Sequence, residues 1–282
     1  MVRRLDSLAD IAAGYDAVVL DQWGVLHDGS APYARALASL GALESTGTRL
    51  AVLSNSGKRA APNAARIAAM GFAPDLFELV MTSGEALWQD IAGGLVSVRR
   101  LCAIERSAGD ATAWAAGLDV TLTDSAEEAE AVLLMGLSDG ASPAPVAAVL
   151  DTALARGIPV LCTNPDRASP RAGGANVGSP GALAHAHADA GGNVRFYGKP
   201  HLPVFRAVGS ALGLTSGRIL MVGDSLEHDV AGAKGAGWDA VFVEGGLHAA
   251  AFGGSAPPET TLARLAAAAG APLPDYTLPE LC

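Results

Sequence analysis

Short apolar runs alternate with helix-like segments along nearly the whole chain of 282 residues. Between the runs, apolar side chains recur at helical spacing, as they do from Tyr33 to Leu43 and from Gly84 to Ile91. Strand-like runs that are bounded by turn residues and alternate with helices predict a parallel α/β sheet. The apolar runs are 17–20, 50–53, 79–81, 101–104, 131–135, 158–162, 218–222 and 240–243.

Polar segments follow several of these runs at the point where each strand should end. Ligands of parallel α/β sheets bind at the carboxyl ends of the strands, so these segments are the candidate site. They are Asp21-Gln22-Trp23-Gly24-Val25-Leu26, Ser54-Asn55-Ser56-Gly57-Lys58, Gly198-Lys199-Pro200 after Phe196-Tyr197, and Gly223-Asp224-Ser225 with Asp229 five residues beyond Asp224.

Together these side chains have the chemistry of a Mg²⁺ and phosphate site. Mg²⁺ prefers hard oxygen ligands such as carboxylates. A hydroxyl and a lysine supply hydrogen bonds and positive charge to phosphoryl oxygens, and an aspartate can attack phosphorus itself. Each segment alone also fits a turn or a helix cap. The order of the four segments, each after an apolar strand, favours the site.

The composition argues against nucleic-acid-binding, membrane and secreted proteins. The net charge is −10 with dispersed acids, and lysine occurs only at Lys58, Lys199 and Lys234, so no basic face for nucleic acid is expected. No run approaches the ~20 apolar residues of a membrane span, and no apolar segment typical of a signal peptide follows the first residues. Three scattered cysteines (Cys102, Cys162 and Cys282) match no zinc or disulfide pattern, which favours a reducing cytoplasm.

The four polar segments resemble motifs I to IV of the haloacid dehalogenase (HAD) superfamily of phosphohydrolases. Val25-Leu26, the placement of an insert after motif II, and Thr163-Asn164-Pro165-Asp166 resemble its class IIA branch, which includes nitrophenyl-, sugar- and pyridoxal-phosphate phosphatases. The resemblance covers nearly the whole chain. It implies a Rossmann-like core at 1–93 and 186–282 and an inserted α/β cap of the C2 type at 94–185 that roofs the site.

The resemblance also implies roles for individual residues. Asp21 matches the nucleophile and a metal ligand, and the backbone carbonyl of Trp23 matches a second metal contact. Asp224 matches the metal ligand of motif IV, and Asp229 the acid that ligates Mg²⁺ or orients its waters.

The phosphate would be bound by the remaining motif residues. Ser54 matches the phosphate-binding hydroxyl, with Asn55 beside it. Lys199 matches the lysine that steadies both Asp21 and the phosphoryl group. The implied reaction is Mg²⁺-dependent hydrolysis of a small phosphorylated metabolite through an aspartyl-phosphate.

Trp23 departs from the family pattern, because family phosphatases carry an acid/base aspartate at this position. Such a group is typically worth ~10²–10⁴-fold in rate, and indole has no titratable proton to give. His27 or Asp28 could substitute, although each also fits a loop residue. The other interpretation is a slow phosphatase or one restricted to good leaving groups.

Two alternatives to hydrolysis stay open on the sequence. The chain could be a non-catalytic protein that binds a phosphorylated metabolite, having kept the metal site without the acid/base. It could also be a phosphotransferase or mutase that passes the phosphoryl group to another acceptor. Class IIA proteins often pair through their caps, so a homodimer is an open expectation.

Overall fold

The computed structural model describes residues 2–138, 140, 142–170 and 176–281. The chain divides into two compact units. The core unit comprises Met1–Ser54, Asn63–Met81 and Lys199–Cys282, and the inserted unit comprises Asn55–Pro62 and Thr82–Gly198.

The secondary structure alternates as the sequence predicts. The strands are β1 Arg3–Arg4, β2 Ala17–Leu20, β3 Leu50–Ser54, β4 Leu79–Thr82, β5 Arg100–Ile104, β6 Thr121–Thr123, β7 Ala131–Leu134, β8 Val160–Cys162, β9 Ala168–Pro170, β10 Asn176–Gly178, β11 Val194–Phe196, β12 Ile219–Gly223, β13 Asp239–Val243 and β14 Tyr276–Leu278. The helices are α1 Ala9–Ala12, α2 Ala36–Ser45, α3 Ala60–Ala69, α4 Ser83–Ala92, α5 Asp110–Ala115, α6 Ala144–Arg156, α7 Pro180–Asp189, α8 Leu202–Ala211, α9 Ala231–Gly235, α10 Ala249–Phe252 and α11 Pro258–Ala269.

The core unit is built on a seven-stranded sheet with the order β1-β14-β13-β12-β2-β3-β4. Strand β12 pairs in parallel with both β2 and β13, and β2 pairs in parallel with β3. All four residues of β2 and all five of β12 are buried, as continuous apolar strands of a sheet covered on both faces should be.

The direction of strand addition reverses between β2 and β12. From β2 the chain proceeds outward through β3 to β4, and from β12 it proceeds the other way through β13 to β14. Such a reversal opens a crevice at the carboxyl ends of the two central strands, where ligands of α/β sheets bind. The fold therefore places Asp21 and Asp224 side by side at this crevice.

The inserted unit has its own sheet of five parallel strands with the order β11-β8-β7-β5-β6. A separate antiparallel pair joins β9 and β10. The α/β fold is confirmed, and both sheets place apolar strands where the sequence predicts them.

The boundaries of the inserted unit differ from the expected 94–185. Strand β11 pairs with β8, so this unit continues to Gly198. Helix α4 also belongs to it, because the buried Trp114 donates its indole N–H to the carbonyl of Gly84 at 2.7 Å. Both boundaries depend on tertiary pairing rather than on a break in the sequence pattern.

The structure also bears on membrane spans and on the cysteines. Among the described residues, no helix is both long and apolar enough to cross a membrane. Cys102 and Cys162 are buried free thiols, and Cys282 lies outside the described residues.

Candidate active site

Asp21 is the first residue beyond β2, and it lies next to β12, the strand that pairs with β2. Its backbone N–H donates to the carbonyl of Val222 at 2.9 Å, which continues the strand pairing by one residue. Its carboxylate oxygen Oδ1 accepts the backbone N–H of Gln22 at 2.7 Å. These bonds orient the Asp21 side chain at the crevice.

Lys199 joins two of the predicted acids. Its side chain is 3% exposed, and Nζ lies 2.7 Å from Oδ1 of Asp21 and 2.7 Å from Oδ1 of Asp229. Nζ also donates to the carbonyl of Leu53 at 3.4 Å. An ammonium has three N–H donors, and the two short contacts to Asp21 and Asp229 hold this one between the two carboxylates.

Backbone N–H groups hold the two acids of motif IV. Leu247 N–H donates to Oδ2 of Asp224 at 2.7 Å, and Ser225 N–H donates to Oδ2 of Asp229 at 3.0 Å. Asp229 is placed by a wide turn at 226–230, in which the N–H groups of Asp229 and Val230 both donate to the carbonyl of Ser225. The turn aims the Asp229 carboxylate back toward Lys199.

Glycines allow the backbone to approach these carboxylates. Gly24 has φ +82°, and a Cβ there would collide with the Asp224 carboxylate. A Cβ on Gly246 would also meet Asp224, and one on Gly223 would meet Asp229. Each position needs a residue without a side chain for the acids to sit where they do.

The three acids form one cluster. Asp21, Asp224 and Asp229 each offer a carboxylate oxygen, and these atoms all lie within 4.8 Å of one another. Three carboxylates and the single ammonium of Lys199 sum to −2 (−3 + 1) when all are ionised. A divalent cation with hard oxygen preference, such as Mg²⁺, balances this charge, so the residues present fit the ion that the motifs imply.

Burial and crowding shift the titration of the cluster. Burial raises the pKa of Asp21 to about 6, against the opposing effect of Lys199. Burial, followed by the charges of Asp21 and Asp229, raises the pKa of Asp224 well above its usual range. For Lys199, burial lowers the pKa, but the neighbouring carboxylates outweigh burial and hold the pKa above its ordinary value. A cation would relieve the repulsion between the carboxylates.

The predicted phosphate ligands fall in different units. Ser54 ends β3, one residue beyond the level of Asp21, because Leu20 pairs with Val52. Asn55 belongs to the inserted unit, where its amide Nδ2 donates to Oδ1 of Asp166 at 2.6 Å. The phosphate-binding roles of Ser54, Asn55 and Lys199, and the metal contact of the Trp23 carbonyl, stay predictions.

The loop after β2 holds both predicted substitutes for the acid/base. His27 is fully buried, and burial together with the charge of Arg66 lowers its pKa to about 4. Asp28 is exposed, and hydrogen bonds from the N–H groups of Ala31 and Ser30 lower its pKa. At neutral pH, His27 is therefore uncharged and Asp28 is ionised.

The loop after β13 contributes to the site, which the four motifs did not predict. Leu247 supplies a backbone N–H to Asp224, and Gly246 makes room for that carboxylate. The pair Gly245-Gly246, one residue beyond the apolar strand β13, was the available signal, since glycines there mark a close backbone approach.

Comparisons with known proteins identify one family. A family model described as haloacid dehalogenase-like hydrolase matches residues 18–102, and one described as HAD-hydrolase-like matches residues 196–268. A search of curated proteins finds no match.

Solved structures match over most of the chain. A hydrolase of the haloacid dehalogenase-like family from Brucella suis is 30% identical, with a TM-score of 0.79 over 99% of this chain and 100% of that one. A glycerol phosphate phosphatase from Mycobacterium tuberculosis, in complex with magnesium, is 25% identical, with a TM-score of 0.67 over 86% of this chain and 71% of that one. A p-nitrophenyl phosphatase from Archaeoglobus fulgidus shares the fold at 23% identity, with a TM-score of 0.74 over 94% and 96% of the two chains.

Proposed function

This chain belongs to the haloacid dehalogenase-like hydrolase family, and on that basis we propose that it is a Mg²⁺-dependent phosphatase. The proposed substrate is a small phosphorylated metabolite, and the proposed nucleophile is Asp21. Structures similar to this chain include a glycerol phosphate phosphatase and a p-nitrophenyl phosphatase, which supports the choice of a phosphate ester.

One observation carries the proposal: Lys199 bridges Asp21 and Asp229 inside a cluster whose third acid is Asp224. A structural ion pair needs one acid, whereas this cluster gathers three around a single buried lysine, and two of the three, Asp224 and Asp229, are buried. Burying surplus charge is costly unless something compensates it. A cation and a phosphoryl group supply that compensation.

Bound Mg²⁺, held by Asp21, Asp224, Asp229 and the Trp23 carbonyl, would supply positive charge to the phosphoryl oxygens. The Asp21 carboxylate attacks phosphorus in line while Lys199 keeps that carboxylate ionised and oriented. Ser54, Asn55 and Lys199 bind the equatorial oxygens through hydrogen bonds. Water then cleaves the aspartyl-phosphate and releases inorganic phosphate.

The finer assignments belong to the same proposal. We assign the chain to class IIA and the inserted unit to its C2-type cap, which would exclude water and select the substrate. We expect a cytoplasmic protein that binds neither nucleic acid nor membranes, with pairing through the caps as an expectation for its assembly.

The test is phosphate release from p-nitrophenyl phosphate in the presence of Mg²⁺. Asp21→Asn should lower turnover at least ~10³-fold, because the amide cannot act as the nucleophile. Asp119→Asn is the matched control, since Asp119 is almost fully exposed at 98%. If wild type releases no more phosphate than Asp21→Asn across a panel of metabolites, the chain is not a phosphatase.

A second candidate function is binding without turnover, which Trp23 favours because indole cannot protonate a leaving oxygen. It predicts that phosphate esters and Mg²⁺ raise the melting temperature while no phosphate appears. Phosphate release that depends on Asp21 would exclude it. A phosphotransferase would instead label an added acceptor, so the assay should also follow the fate of the phosphoryl group.

A further inference from the structure

The loop from Gln22 to Tyr33 is the part of the core unit that continues directly from the nucleophile. It makes a helical turn, in which the N–H groups of Leu26 and His27 donate to the carbonyl of Gln22, and then a short hairpin at 27–33. A proton donor for the leaving oxygen would be expected on this loop. The acidic, imidazole and indole side chains of this loop are those of Asp28, His27 and Trp23.

Asp28 is held as a structural acceptor. Its Oδ1 accepts the backbone N–H of Ser30 at 2.8 Å and that of Ala31 at 2.9 Å, which closes the hairpin turn. Both bonds favour the ionised carboxylate over the protonated acid, and they lower the pKa of Asp28. Asp28 therefore has no proton available to give.

His27 is fixed in the tautomer that cannot serve as a base. Its Nδ1 accepts the N–H of Gly29 at 3.1 Å, so the hydrogen of the neutral ring is on Nε2. The side chain is fully buried, and Nε2 has no hydrogen-bond partner within the described part of the chain. The only basic lone pair of the ring is therefore already used inside the loop.

Trp23 packs against the same hairpin. A Cβ on Gly29, which has φ +95°, would lie 3.0 Å from the indole Nε1 of Trp23. The Gly29 carbonyl in turn accepts Nη2 of Arg66 at 3.0 Å, which anchors the hairpin to α3. The indole is thus part of the wall of the loop, and it offers an N–H but no acidic proton.

From these contacts we propose that the site selects substrates by the basicity of the leaving oxygen, and that phosphorylated Asp21 accumulates during turnover. The favoured substrates are aryl phosphates, acyl phosphates and phosphoanhydrides, whose leaving groups are stable anions, over alkyl phosphates. This inference rests on the proposed phosphatase function and deepens it.

The steps balance without an added acid. In the first, a bond forms between an Asp21 carboxylate oxygen and phosphorus, and the bond from phosphorus to the leaving oxygen breaks with its electron pair on that oxygen. The leaving anion then takes a proton from solvent. In the second, a water oxygen bonds to phosphorus, the Asp21–phosphorus bond breaks, and the protons of water pass to solvent and product phosphate.

The first test compares kcat/KM for p-nitrophenyl phosphate, phenyl phosphate, acetyl phosphate and glycerol phosphate. Because general acid help is typically worth ~10²–10⁴-fold, we expect glycerol phosphate to fall at least ~10²-fold below p-nitrophenyl phosphate. Equal kcat/KM across the series would overturn the inference, since it would mean that a proton donor is supplied from elsewhere in the chain.

The second test uses the first turnover. Mixing enzyme with excess p-nitrophenyl phosphate should release a burst of p-nitrophenol equal to the enzyme concentration, and a hydroxylamine-labile phosphoryl label should appear on Asp21. Release without a burst and without label would show that the second step is not limiting, which contradicts the proposal.

Trp23→Asp supplies the missing proton and should raise kcat/KM for glycerol phosphate at least ~10-fold while removing the burst. Trp23→Asn is the matched control, because it loses the same indole packing but carries no acidic proton. No gain in Trp23→Asp over Trp23→Asn counts against the inference. The proposed function fails separately, when neither wild type nor Trp23→Asp releases phosphate in an Asp21-dependent manner from any substrate.

Discussion

Lys199 is the residue on which the charge balance of the site depends. Its buried ammonium contacts two carboxylates at once, those of Asp21 and the fully buried Asp229. The other ion-paired lysine of the core unit, Lys234, contacts Asp275 alone in a pair that is about one-third exposed. Lys199 is thus a buried lysine between two acids, and Lys234 is a partly exposed lysine with one acid. Only at Lys199 does burial make the loss of the charge strongly destabilising.

Lys199→Met should reveal this difference. Removing the ammonium leaves Asp21 and Asp229 buried without their shared partner, so in the absence of metal the free energy of unfolding should fall by ~3–5 kcal/mol. Mg²⁺ should restore more stability to this variant than to wild type, because the metal then supplies all the positive charge. Denaturant unfolding with Mg²⁺ and with EDTA measures both effects.

Lys234→Met is the control for this experiment. It removes a partly exposed pair, so it should cost only ~0–1 kcal/mol, and its response to Mg²⁺ should equal that of wild type. Equal losses in the two variants would show that Lys199 does not carry the charge balance of a metal site.

The first residue of helix α3 is hydrogen-bonded by a carboxylate from helix α4. Oε2 of Glu85, on α4, accepts the backbone N–H of Ala60 at 3.0 Å and Nε of Arg59 at 2.7 Å. Burial raises the pKa of Glu85, but the hydrogen bonds from Arg59 and Ala60 outweigh burial, and the pKa lies below its ordinary value of 4.5. The contact thus stabilises the inserted unit in the ionised form.

The sign of the pH dependence follows from this lowered pKa. Stability from Glu85 is complete above its unfolded pKa and is lost as pH falls through its folded pKa. Wild type should therefore exceed Glu85→Gln in unfolding free energy by ~1–2 kcal/mol at pH 7, and the difference should shrink at acid pH. Glu127→Gln, at an exposed position, should show no such difference; a gap for Glu85→Gln that is independent of pH would contradict the assignment.

At the level of elements, the pattern of apolar runs predicted most of both sheets. The runs at 17–20 and 218–222 correspond to β2 and β12, and the motifs at their ends meet as expected. The strands β1, β6 and β14 were missed, because none of them is a run of apolar residues. In β1, Arg3–Arg4 is exposed and too short for any periodicity to register. Strand β1 lies at the edge of its sheet and β14 lies between β1 and β13. Both positions are set by pairing, which is a tertiary property.

The candidate site was likewise predictable from the sequence only in part. Residue type and order were enough to predict the cluster of Asp21, Lys199, Asp224 and Asp229. The backbone N–H of Leu247 could not be predicted, because every residue has one and only the fold selects which lies near Asp224. The orientation of Asn55 toward Asp166, 111 positions away in sequence, is likewise a product of folding.

For the whole molecule, the net charge is −10, and the clustered carboxylates need a cation to balance their charge. All four groups of the cluster lie in the core unit, as do β2 and β12, the strands that precede Asp21 and Asp224. A cation that binds the folded state alone stabilises it by RT ln(1 + [L]/Kd), which is ~2.7 kcal/mol at a concentration of 100 Kd. In this protein that stabilisation should be concentrated in the core unit.

Hydrogen exchange followed by mass spectrometry tests this expectation on the intact chain. Adding Mg²⁺ should slow exchange in peptides that contain β2, β12 and the loop at 245–247, and EDTA should reverse the effect. Peptides that contain β5 and β7 of the inserted unit should change much less, because none of the clustered carboxylates lies there. Asp224→Asn should abolish the response, since it removes one of the three carboxylates around the ion. Equal protection of both units by Mg²⁺, or a full response in Asp224→Asn, would mean that the metal binds elsewhere.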